Sequence, residues 1–130
     1  MSIFIVAEIG INHNGDLLVC KELIDMAVDA GCDAVKFQKR DINQVYTQDF
    51  LDSYRDSPWG KSQREQKIGL ELGERDYKEI NRYCEEREIE WFASAWDLNS
   101  QKFLQNFNCK YNKIASAMIT NEDLLNMVAQ

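Results

Sequence analysis

Polar groups fall at the downstream end of each of four short apolar runs. Glu8 closes "IFIVAE", Lys36 lies within "DAVKFQ", Ser94 and Asp97 end "WFASAWD", and Lys113 and Ser116 end "YNKIAS". An acid, two ammonium groups and hydroxyls gathered on one edge could hold a phosphate or a carboxylate. Magnitudes favour that use of the lysines. Strand propensities differ by roughly 1 kcal/mol between residues, whereas an unpaired charge in a dry interior costs several kcal/mol. Lys36 and Lys113 must therefore reach water or meet an anion.

The first run continues as "AEIGINHNGD", Ala7 to Asp16, placing Asn12, His13 and Asn14 close behind Glu8. Glu8 has two readings, an acid at the floor of a site or an ion-pair partner of Lys36 inside a sheet. His13 is the chain's sole histidine and has no second one at metal-ligand spacing, which favours a hydrogen-bonded turn residue over a ligand. Asn14-Gly15-Asp16 is turn chemistry followed by a helix cap. Trp91 and Trp96 read most simply as core or rim packing, and "GERDYKEINRYCEERE" as a solvated helix face.

The elements that must position these groups follow from periodicity. "IFIVAEIG" reads as a strand, Asp16 as an N-cap, and Leu17 to Ala30 as a helix with Cys20, Leu23, Ala27 and Ala30 on one face and Gly31 as a left-handed stop. Further strands are expected over Ala34 to Gln38, Trp91 to Trp96 and Tyr111 to Ser116. Helices are expected over Arg75 to Arg87, over Ser100 to Phe107, and from Asn121 onward. Alternating strands and helices predict an α/β fold with a parallel sheet. In such folds ligands bind beyond the carboxyl ends of the strands. Lys39 to about Gly73 breaks the rhythm: it holds the chain's one proline, Pro58, and carries Tyr46, Phe50, Tyr54 and Trp59. Long connections of this kind are usually functional or disordered. Its aromatic content predicts that it folds over a site, with a short helix near Arg64 to Leu70.

Composition narrows the partners. The 130 residues are 45% hydrophobic and carry a net charge of −7 with no basic stripe, which speaks against a nucleic-acid partner. No apolar run approaches the roughly 20 residues of a membrane span. Cys20, Cys32, Cys84 and Cys109 form no CxxC pair, so reduced thiols in a cytoplasmic protein are expected.

"AEIGINHNGD", "AGCDAVKFQ" and "YNKIAS", in this order and at these intervals, resemble the N-acetylneuraminate (sialic acid) synthase family, which includes the legionaminic and pseudaminic acid synthases. The resemblance implies a (β/α)8 TIM barrel of which only about the first four β/α units are present, so residues 1–130 would form the N-terminal half of a barrel. It further implies a synthase that condenses phosphoenolpyruvate with an N-acyl hexosamine such as N-acetylmannosamine, releasing phosphate. A divalent metal, manganese or magnesium, would polarise the sugar aldehyde, with ligands outside this chain, and a homodimer is expected. Lys36, Lys113 and Ser116 match positions that hold phosphoenolpyruvate, and Glu8 matches an acid facing the amino sugar. The loop around Ser57 to Lys61, with Trp59, falls where the family encloses that sugar. Asn12, His13, Asn14, Gln38, Ser94 and Asp97 complete the expected substrate-binding set. Two positions depart from the family pattern: Met118 stands where an acid is common, and Ala95 where a threonine can occur.

Two other readings remain open on these residues. One is a related phosphoenolpyruvate-dependent 3-deoxy-sugar-acid synthase. The other is a catalytically silent half barrel that binds a ligand or assembles with itself, because an open half barrel leaves strand edges and an apolar face uncovered. By itself the 130-residue piece is expected to be inactive.

Overall fold

The computed structural model describes residues 1–130. Strand β1 (Val6–Gly10) leads through a tight turn into helix α1 (Leu17–Asp29) and strand β2 (Ala34–Lys39). Asp16 caps α1 as expected, its Oδ1 accepting from Leu18 N at 2.8 Å and Val19 N at 3.4 Å. Gly31, at φ +80°, carries the chain out of the helix. Helix α5 (Glu74–Glu86), strand β5 (Glu90–Ala95), helix α6 (Leu98–Leu104), strand β6 (Lys113–Ile114) and helix α7 (Glu122–Ala129) complete the rhythm.

The four strands β1, β2, β5 and β6 pair in chain order, all parallel. One face of the sheet is apolar. Ile9, Val35, Phe37, Trp91, Ala93 and Ala95 pack into a single core with Cys20, Ile24 and Ala27 of α1 and Tyr77, Ile80 and Cys84 of α5. Side chains alternate along a strand, so Glu8, Lys36, Gln38, Phe92, Ser94 and Lys113 share the opposite face. That face curls inward: Phe4, just before β1, meets Tyr111, just before β6, with ring centroids 5.1 Å apart, although β2 and β5 lie between them. Phe92 joins the pair at 5.6 Å from Tyr111.

Several boundaries differ from the sequence expectation, three of them for a visible reason. Pairing in β1 starts at Val6, although Ile5 is already tied to the turn before β2: its N–H donates to Asp33 Oδ2 at 2.7 Å and its carbonyl accepts from Asp33 N at 2.8 Å. β6 is only Lys113–Ile114, because it has a partner on one side alone. Helix α6 starts at Leu98, two residues early, because Asp97 caps it.

The connection from residue 40 to residue 73 is fully structured. Short helices α2 (Ile42–Val45) and α3 (Gln48–Asp52) precede an antiparallel hairpin of β3 (Tyr54–Ser57) and β4 (Gly60–Ser62), which the sequence reading did not contain. Helix α4 (Gln63–Gly69) falls where a short helix was expected. Ser62 and Glu65 close a reciprocal capping box at its start. All four cysteines are free thiols. Burial pushes Cys20 and Cys84 up to about 12 and Cys109 to about 11, which marks them as packing groups rather than nucleophiles. No helix is long and apolar enough to cross a membrane.

Candidate active site

Register brings the expected residues together. Glu8 pairs with Lys36 and Lys36 with Phe92, forming one inward row. Gln38, Ser94 and Lys113 form the next row toward the carboxyl ends of the strands. Lys36 Nζ lies 2.9 Å from Glu8 Oε2 and donates to Ser94 Oγ at 2.9 Å. The lysine side chain is 12% exposed and the glutamate side chain 58%. Glu8 is therefore an ion-pair partner of Lys36 whose own side chain stays more than half exposed. Lys113 stands exposed on the edge strand, with Nζ donating to the carbonyl of Ile114 at 2.8 Å. Ser116 is exposed and opens a single 3-10 turn, Ser116–Met118.

The turn after β1 is built around His13. Its Nδ1 accepts from Gly15 N at 2.9 Å, and its ring is buried. Burial lowers its pKa, against the opposing pull of a hydrogen bond with the Gly10 backbone and of the Asp76 charge. The ring is thus spent on shaping the turn rather than on the open face. Gly15 sits at φ +70°, where a Cβ would lie 2.0 Å from the carbonyl oxygen of Gly69, so only glycine fits. Asn12 and Asn14 remain exposed on this turn. With Trp59, Gln66 and Leu70 they line a cleft of about 480 Å³. Trp59 comes from the hairpin tip and lies flat against Gly69, where a Cβ would fall 2.2 Å from the indole ring.

Asp97 has a different position from the one its sequence neighbours imply. It is buried, and its carboxylate accepts from Ser100 N at 2.9 Å, Ser100 Oγ at 2.6 Å and Asp41 N at 2.8 Å. Three bonds leave it little capacity for a ligand, and its work is to cap α6 and fix the start of α2. Ala95 points into the helix-side core, and Met118 packs against that core from the last turn.

The divalent metal implied by the resemblance finds no ligand set among these residues. No three His, Cys, Asp or Glu side chains converge, and His13 has its Nδ1 engaged. Two charged residues at the same edge, Arg40 and Lys67, escaped the sequence reading, and Trp96, read there as core or rim packing, stands beside Arg40. Arg40 was legible in one respect, because it continues the even-numbered inward series after Lys36 and Gln38 on β2. Lys67 was not, since only the fold of the connection brings it back to that edge.

Comparison with known proteins places the chain. The profile of the NeuB family matches residues 23–130. The chain belongs to the NeuB family. Over 98% of its length this NeuB chain is 38% identical to an N-acetylneuraminate-9-phosphate synthase of Drosophila melanogaster, covering 35% of that protein. It is likewise 38% identical, over 93% of its length, to an N,N'-diacetyllegionaminic acid synthase of Legionella pneumophila, again covering 35% of the relative. The chain thus spans about a third of the length of the curated relatives it matches. Among solved structures, it superposes on an N-acetylneuraminic acid synthetase of Leptospira borgpetersenii with a TM-score of 0.83 and 27% identity, over 99% of this chain and 41% of that one. A Bacillus subtilis spore coat polysaccharide biosynthesis protein gives a TM-score of 0.70 at 31% identity, over 98% of this chain and 33% of that one.

Proposed function

We propose that this chain forms the amino-terminal half of a barrel enzyme that joins phosphoenolpyruvate to an N-acyl hexosamine, yielding a nonulosonic acid and phosphate. The observation that carries the reading is Lys36, enclosed between Glu8 and Ser94 one row below Gln38, Ser94 and Lys113 on the concave face. Further β/α units would close the curled sheet and bring the metal ligands that these residues lack.

In this reading Lys36 and Lys113 hold the two anionic ends of phosphoenolpyruvate, and the Ser116 hydroxyl donates to it. Carbon 3 of the enol forms a bond to the sugar aldehyde carbon, whose oxygen takes up a proton. Positive charge develops at carbon 2, water adds there, and the tetrahedral product loses phosphate to leave the ketone. The free oxygen of Glu8 faces the region where that charge develops and where sugar hydroxyls would lie, so it stabilises the one and orients the other. The cleft between Asn12, Asn14 and Trp59 offers amides and an aromatic face, which suit hydroxyls and an acyl group.

The test is phosphate release by the complete gene product, which should require both phosphoenolpyruvate and an N-acyl hexosamine. Lys113→Ala should weaken phosphoenolpyruvate binding by about tenfold or more, the worth of a charged hydrogen bond. A preference for a non-acylated sugar phosphate would move the enzyme to the 3-deoxy-sugar-acid synthases. Release by neither substrate class would sink the reading.

A further inference from the structure

The turn after β1 holds the chain's one Asn-Gly pair, Asn14-Gly15. The side-chain carbonyl carbon of an asparagine is open to attack by the main-chain nitrogen of the next residue, which closes a succinimide ring and expels ammonia. A side chain on the attacking residue hinders that closure, and glycine has none. The attacking nitrogen must also give up its proton, and an amide N–H is a very weak acid. Speed therefore depends on a base placed on that N–H.

In this turn a base is in place. Gly15 N–H donates to Nδ1 of His13 at 2.9 Å, an imidazole lone pair in the position where a turn usually sets a carbonyl oxygen. That distance is within the reach required of a general base. The ring is buried, and burial favours its neutral form, so the lone pair carries no proton. A hydrogen bond with the Gly10 backbone and the charge of Asp76 act in the other direction, and they steady the ring once it takes a proton up. Main-chain bonds hold the frame on both sides: Asn14 N donates to the Ile11 carbonyl at 3.1 Å and Asp16 N to the His13 carbonyl at 2.9 Å. Asn14, at φ +54°, is exposed, so its amide stands in water while the nucleophile beside it is fixed.

We infer that Asn14 is a site of self-catalysed deamidation, with His13 as the base that draws the proton from Gly15 N. The Gly15 nitrogen forms a bond to Cγ of Asn14. Its proton passes by way of His13 and water to the departing amine, and the C–N bond of the side-chain amide breaks to release ammonia. Water then opens the succinimide at one carbonyl or the other, leaving an aspartate or an isoaspartate at position 14. One water enters and one ammonia leaves, with no oxidant and no second enzyme. Both products alter the cleft of about 480 Å³ that Asn14 lines with Asn12, Trp59 and Gln66. Aspartate adds a negative charge to it. Isoaspartate lengthens the main chain by one carbon where the turn has no slack, since even a Cβ on Gly15 would lie 2.0 Å from the Gly69 carbonyl oxygen. The reaction runs one way, so it times the life of the cleft.

The experiment ages the complete gene product at neutral pH and follows the proteolytic peptide that holds residue 14 by mass spectrometry, with isoaspartate counted by isoaspartyl methyltransferase labelling. A synthetic peptide spanning Gly10 to Leu18, aged in parallel, gives the rate of the same pair without the fold. The folded protein should deamidate at Asn14 about tenfold or more faster than the peptide, the least that a positioned general base supplies. Hydroxylamine should cleave the chain after residue 14 while the succinimide is present. His13→Gln keeps an acceptor for Gly15 N but no basic nitrogen, and should bring the rate down to that of the peptide or below. A folded-state rate at or below that of the peptide means that the turn protects Asn14, and overturns the inference. A fast rate that survives His13→Gln in the folded protein removes the base and overturns it as well. The comparison with the peptide needs no substitution, so it decides the matter even where His13→Gln fails to fold.

Discussion

Glu8 Oε2 lies 2.9 Å from Lys36 Nζ across β1 and β2, yet only the lysine is enclosed. A pair serving the fold alone would gain most with both charges shielded and fully hydrogen-bonded. With one partner facing solvent, screening limits the stabilisation to about 1 kcal/mol or less. Glu8→Gln should therefore leave the denaturant midpoint almost unchanged while lowering turnover of the complete enzyme. Lys36→Met should weaken phosphoenolpyruvate binding by about tenfold or more. Unfolding of Glu8→Gln with the activity of the remaining folded fraction intact would return the pair to a structural role.

Asp97 separates stability from binding. Loss of its cap on α6, together with its bond to Asp41 N, should cost Asp97→Ala about 2 kcal/mol, read from urea unfolding. Phosphoenolpyruvate affinity measured on the folded protein should stay as it was. A drop in affinity without a drop in stability would place Asp97 among the ligand contacts after all.

Gly69 supports the cleft of Asn12, Asn14 and Trp59 from beneath. A methyl group there would meet the Trp59 ring at 2.2 Å, and the hairpin tip is the part free to give way. Gly69→Ala should lift Trp59 into water, shift tryptophan emission to longer wavelength and weaken sugar binding more than phosphoenolpyruvate binding. Equal weakening of both would mean that the damage spreads through α4 to the strands.

His13 gives the fold an acid limit. Burial lowers its pKa from the ordinary 6.5, so the unfolded chain takes up a proton that the folded ring resists. Stability from the neutral ring is complete above the unfolded value and is lost as pH falls from there through the folded one. The melting temperature should therefore fall on acidification between about pH 7 and pH 5, where no other side chain ordinarily titrates. The carboxylates Glu65, Glu74 and Glu79, all held below their usual range, lose their contribution only at lower pH. His13→Asn keeps an acceptor for Gly15 N and should flatten the profile; an unchanged slope in that variant would clear His13.

Much of this was legible in the sequence where local chemistry and the sheet agreed. Asp16, Gly31 and Asn121 act as the caps their types announce, and of the helical face read as Cys20, Leu23, Ala27 and Ala30, Cys20 and Ala27 are buried in the core, whereas Ala30 lies exposed just past the helix and Ile24 takes the place between them. The hairpin was hidden because "YRDS" and "GKS" are poor strand formers, held by the turn at Pro58-Trp59 and by the Glu65 carboxylate, which accepts from Lys61 N and Ser62 N. Asp97 misled because an acid after a strand looks the same whether it faces a ligand or caps the next helix. Lys67 could not be read at all: its neighbours Tyr46 and Arg40 are joined to it only by the fold of the intervening segment.

The contact between Phe4 and Tyr111 also bears on the order in which the chain can mature during synthesis. Each strand pairs with one made before it, so β1 and β2 can join while the rest is still on the ribosome. Phe4 is different: its ring partner is more than a hundred residues downstream. The aromatic seam of the concave face therefore closes last. Until Tyr111 emerges, the nascent protein presents a bare Phe4 and an unpaired β5 edge, the kind of surface that chaperones bind.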